Sequence, residues 1–132
     1  MPGAEQAVFE PVDLSDGLAV TLERLASLLF AEEEDGFPLP TRHAYLTAFH
    51  LLNEAYRYLP ASFPRATVSV EENGGVFLYW IKPLGTVQLT VPFEPGKLLY
   101  IRTMQEDMPS QVYENPDGKE LAKSLILFTR LN

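Results

Sequence analysis

Apolar positions recur at helical spacing in three stretches of the chain, and at a spacing of two between the second and third. In the first stretch Leu18, Leu22, Leu25 and Leu29 fall on one side of a helix, and Val20 and Leu28 widen the stripe. Ser15 or Asp16 is its expected N-cap, because a short oxygen side chain accepts from unpaired first-turn amides. The helix is expected to stop near Phe30. Beyond it the acids of Glu32 to Asp35 would oppose the macrodipole at the helix C-terminus. The second stretch, Arg42 to Leu59, carries Tyr45, Ala48, Phe49, Leu52, Ala55, Tyr56 and Leu59 on one face, with Thr41 as N-cap and Pro60 and Pro64 closing it. In the third, Leu121, Leu125 and Phe128 form a stripe flanked by Ala122 and Ile126. Asn115 or Asp117 caps it, with Pro116 in the first turn.

Between the last two helices the pattern is that of strands. Thr67 to Glu71 alternates, with Val68 and Val70 on one face, and Asn73-Gly74-Gly75 supplies the positive-φ positions of a hairpin. Val76 to Ile81 is apolar on both faces, the pattern of a central strand covered on both sides or bearing an aromatic surface. Pro83 to Gly85 turns the chain into Thr86 to Val91, with Val87, Leu89 and Val91 inward. Pro95-Gly96 leads into Lys97 to Thr103, and Met104 to Pro109 reads as a loop. The order helix, helix, four strands, helix predicts an α+β fold: a four-stranded antiparallel meander with two N-terminal helices and one C-terminal helix packed on one face. Residues 1–132 are expected to form a single domain, with 1–13 as an extended N-terminal arm.

Composition narrows the function classes. A chain of 132 residues with 46% hydrophobic residues buries one core. No apolar run approaches the ~18 residues that cross a bilayer. There is no basic n-region followed by an apolar h-region at the N-terminus, and no cysteine, so a reduced, cytoplasmic setting is expected. The net charge of −8 is unevenly placed: residues 1–35 hold nine acids and one base, and the remaining nine acids and nine bases cancel. No basic stripe is present to displace counterions from phosphates, so nucleic acid is not an expected partner; neither is a membrane.

Candidate chemistry is thin. His43 and His50 lie two turns apart, ~10 Å along a helix, too far for one metal ion. His50 and Glu54 sit at i, i+4 but lack a third ligand. The carboxylate pairs Glu71/Glu72 and Glu106/Asp107 fall in predicted turns and are not expected to do general acid–base work. Ser110 and Ser124 lack a nucleophile-elbow context, and Gly74-Gly75 lacks the helix and lysine of a phosphate loop. No catalytic, cofactor-binding or metal site is expected. The aromatic strand is different: if helices cover Val76, Leu78 and Trp80, then Phe77, Tyr79 and Ile81 face the other way. That second face is covered by the arm through Val8 and Phe9, or it meets a partner.

Phe63-Pro64-Arg65, Val68, Glu72, Gly74-Gly75, Leu78 and Trp80 together resemble the FP…GG…L-x-W signature of a family of small uncharacterised bacterial proteins, many of them cyanobacterial. Pro38-Leu39-Pro40 and the helix bearing Ala48, Leu51, Leu52 and Ala55 are similar too, so the resemblance covers about residues 36–103. It departs at Asp35-Gly36-Phe37, where such proteins carry a tryptophan. Some members are encoded beside toxin-like proteins, which implies an antitoxin-like, partner-binding role. The resulting expectation is a non-enzymatic protein–protein interaction module or adaptor. Phe77, Tyr79 and Ile81 would make apolar contact, and Glu32, Glu33, Glu34 and Asp35 an acidic rim. The partner is another protein with a basic surface, or a second copy. The alternative is a small acidic inhibitor or chaperone that binds a basic client or imitates nucleic acid.

Overall fold

A computed structural model describes residues 13–30, 36, 38–59 and 61–131. Residues 1–12 of the expected arm, the proline at 60 and the acidic run Glu32 to Asp35 lie outside the described residues, while Asp13, assigned to the arm, opens α1. The chain runs α1 (Asp13–Ser27), a 3-10 turn (Leu28–Phe30), α2 (Arg42–Tyr56), then strands β1 (Thr67–Val70), β2 (Val76–Lys82), β3 (Gly85–Val91), β4 (Tyr100–Gln105) and β5 (Gln111–Glu114), and ends in α3 (Gly118–Thr129). The strands form one antiparallel sheet in the order β1-β2-β3-β4-β5. The fold is therefore α+β, but the meander has five strands rather than four. The fifth was hidden because all four of its residues are exposed, so burial imposes no alternation on its sequence. Met104 and Gln105 also prolong β4 rather than opening a loop.

The alternation expected of β2 and β3 is realised. Val76, Leu78 and Trp80 are buried with Val87, Leu89, Val91 and Ile101 on one face of the sheet, in one core with Leu18, Leu25, Ala48, Leu52, Leu121 and Leu125 of the helices. Thr41 caps α2 as expected, accepting from Ala44 N at 3.1 Å. Helix α2 stops at Tyr56, short of Leu59, although Leu59 remains buried. Helix α1 begins at Asp13, before the expected caps Ser15 and Asp16, and its end tightens into the 3-10 turn. Asp117 caps α3 in a reciprocal capping box with Glu120, so Pro116 precedes the cap instead of lying in the first turn.

The segment from Phe63 to Ala66 is where the helices and the sheet are tied together. Trp80, fully buried, donates its indole N–H to Pro64 O at 3.0 Å. Thr21, also fully buried, accepts from Ala66 N at 3.0 Å and donates to Gly17 O at 2.7 Å. Arg24 Nη1 donates to Ala66 O at 2.6 Å. Gly17 rests directly on the Phe63 carbonyl, where a Cβ would have no room. The residues Phe63-Pro64, Gly74-Gly75 and Trp80 thus have structural duties. Gly74 takes φ +97° in the β1–β2 turn and accepts from Thr41 N at 2.9 Å.

Candidate functional site

The register places Phe77, Tyr79 and Ile81 together on the sheet face opposite the helices. Cross-strand pairs extend that face in rows: Phe77, Thr90, Tyr100 and Glu114; Tyr79, Gln88, Arg102 and Val112; Ile81, Thr86 and Met104. Neighbouring strands stand ~4.8 Å apart, so Ile81 and Met104 flank Thr86 at about 10 Å from each other. Ile81 is 66% exposed, Met104 43% and Val112 46%. Phe77 and Tyr79 are half-buried, and their rings pack at 5.8 Å between centroids. The Arg102 guanidinium lies over the Tyr100 ring, 5.9 Å from its centroid.

The face is apolar on β2 and at Met104 and Val112, and polar along β3. There Gln88 donates to Thr90 at 2.9 Å, while the buried Thr86 hydroxyl has no partner among the described residues. Tyr100, Met104 and Val112 join the expected trio only through the register. Only the two-residue turn Pro83-Leu84, which pairs Lys82 with Gly85, was open to a reading of spacing. The irregular stretch 92–99 hides the register of β4. The acidic residues Glu32, Glu33, Glu34 and Asp35 lie outside the described residues, so nothing here places them near this face.

Other chemistry-bearing groups are occupied or apart. Glu54 accepts from Gly118 N at 2.8 Å, which fixes the N-terminus of α3 against α2. His50 is exposed beside it, with its ring edge-on to Phe49 at 5.7 Å. No group of three or more His, Asp or Glu residues able to hold a metal ion occurs among the described residues. Lys82 spans the far end of the core, donating to Phe128 O, Thr129 O and Leu131 O at 3.0, 3.3 and 2.8 Å. It also lies 4.9 Å from the centroid of the Phe128 ring. A groove between β5 and α3, with a cavity of about 250 Å³, is lined by Tyr113, Glu120, Lys123, Ser124 and Leu127.

Among the described residues no helix is long and apolar enough to cross a membrane. Comparison with protein-family models, with curated proteins and with solved structures finds no match to this chain.

Proposed function

We propose that this chain is a non-enzymatic protein–protein interaction module, antitoxin-like or adaptor in role, that works in the cytoplasm and binds another protein through the outer face of its sheet. The observation that carries the reading is the exposure of Ile81, Met104 and Val112 on a face that no described helix covers. Scattered apolar residues are ordinary on a surface, but apolar positions on three strands of one sheet face, β2, β4 and β5, are the usual mark of an interface. Phe77, Tyr79 and Tyr100 supply aromatic area, and Arg102 a cation, the residue types that interface centres favour. Phe77, Tyr79 and Ile81 are the contact residues, with Met104 and Val112 extending them. The acids Glu32, Glu33, Glu34 and Asp35 enter only through their charge, as a rim that would favour a basic partner. The resemblance to small bacterial proteins encoded beside toxin-like ones supports the same class of role.

Affinity capture from the source cell with wild type and Tyr79→Glu tests the reading. A dominant partner lost in Y79E, with unchanged thermal unfolding, is the expected result. An identical set of captured proteins in both samples refutes it.

A further inference from the structure

The two edges of the sheet are treated differently by the fold. At the β1 edge, Thr21 and Arg24 of α1 satisfy the N–H and C=O of Ala66, the residue that leads into the strand. The β5 edge has no such cover among the described residues, and all four of its residues are exposed. Asn115 N donates to Leu99 O at 2.7 Å, one step beyond the Tyr100–Glu114 pair. Bonded and non-bonded pairs alternate along an antiparallel ladder. Ile101–Tyr113 and Thr103–Gln111 are therefore the bonded pairs, and Val112 and Glu114 turn their N–H and C=O groups outward. Such a row is complementary to another extended backbone.

We propose that β5 pairs antiparallel with β5 of a second copy of this chain, about a two-fold axis at Val112, joining the two sheets edge to edge. The axis stands perpendicular to the sheet, so opposed residues must lie on the same face. Centring the pair on Val112 sets its outward N–H and C=O against their own symmetry mates. Centring it on Glu114 would oppose two like charges, which is unfavourable, and centring it on Tyr113 would set Val112 against Glu114. The surroundings suit a second copy. The chain carries −8 overall, but residues 111–123 at this edge hold Glu114, Asp117 and Glu120 against Lys119 and Lys123, a net of only −1, so little of the chain's charge opposes a second copy here. Val112 is 46%, Tyr113 39% and Leu127 54% exposed, all beside the seam. Pairing places both α3 helices on the same side of the joined sheet, over the grooves that Tyr113 and Leu127 line. No lysine or proline guards Gln111–Glu114 itself; Pro109 and Pro116 only bound its length.

This edge adjoins the outer-face contact at Val112, whose side chain lies on that face while its backbone points outward along the edge, and Y79E distinguishes the two. Sedimentation equilibrium from low micromolar to near-millimolar concentration is run on wild type, V112P, V112K and Y79E. Val112 N–H takes no part in the β4 ladder, so proline removes the outward donor and spares that pairing. Wild type and Y79E should dimerise, and V112P and V112K should weaken the dimer by ~100-fold or more, each lost 1.4 kcal/mol being tenfold. In hydrogen exchange, the amides of Val112 and Glu114 should be protected only where the dimer forms. If V112P fails to fold, V112K and the exchange pattern decide alone. Three results overturn the proposal: a monomer at every concentration; a dimer that persists in V112K with those two amides unprotected; or protection of those amides by a segment of another protein while the chain stays monomeric.

Discussion

Replacing Thr21 with valine exchanges one oxygen for a methyl group and leaves the side-chain shape almost unchanged, so it isolates the hydroxyl that joins α1 to the sheet. Thr21 is fully buried, and its Oγ1 is the partner of Ala66 N at 3.0 Å. In T21V that amide stays buried without an acceptor, at a cost of about 1–3 kcal/mol. The bond given to Gly17 O matters less, because in a helix that carbonyl also receives the main-chain amide four residues on. Against the loss stands the added apolar group, which stabilises by about 0.8 kcal/mol. The balance is a destabilisation of about 1 kcal/mol, or ~4 °C in Tm for a domain of this size. Equilibrium urea unfolding measures it, with an unchanged m-value as the check that the same surface is exposed. T21S keeps the oxygen and should keep the Ala66 amide slow in hydrogen exchange; T21V should not. The two accounts of this site differ in sign. If burial of apolar surface governed it, T21V would gain stability, and a T21V protein as stable as wild type refutes the hydrogen-bond argument.

Two further substitutions probe the same frame. Lys82→Met removes the ammonium that holds three carbonyls at the end of α3; a loss of about 2 kcal/mol is expected by thermal unfolding, with fraying confined to the last turn of α3 in hydrogen exchange. Gly17→Ala should favour an isolated helix by about 1 kcal/mol, yet the added Cβ has no room against the Phe63 carbonyl. The folded protein should therefore lose about 3 kcal/mol or more in urea unfolding, and a stabilised variant would show that α1 does not dock at Phe63.

The elements most legible in the sequence were those whose burial follows one clear period. Helix α2 shows its apolar stripe plainly, and β2 and β3 alternate because one face is sealed under helices. Those same alternations put Phe77, Tyr79 and Ile81 on one surface from the sequence pattern alone. What the pattern concealed has a common cause. Thr21 reads as a polar interruption in a leucine stripe, because its partner is a backbone amide 45 residues away. Strand β5 is exposed on both faces, so no hydrophobic period marks it. Tyr100, Met104 and Val112 reach the outer face through a register that the long connection 92–99 does not encode locally. The direction of the Val112 and Glu114 backbone groups is set by the ladder alone and has no side-chain signature.

Helix α1 also has a consequence for how the molecule assembles. A two-fold contact through one edge uses up that edge: once β5 meets β5, only the β1 edges of the two copies stand at the ends of the joined sheet. At that end α1 is docked beside the strand, holding Ala66 by two side chains and resting on the Phe63 carbonyl at Gly17. Transient release of this one helix, a sub-global opening of the kind native proteins undergo, would free the N–H and C=O of Ala66 at the head of the second edge. A subunit whose second edge is lengthened by that residue can pair there too, and a two-fold pair then becomes the unit of an open-ended chain. Thr21 and Arg24 thus withhold one residue of the second edge from pairing, and variants that loosen α1 should form fibres before they lose their secondary structure.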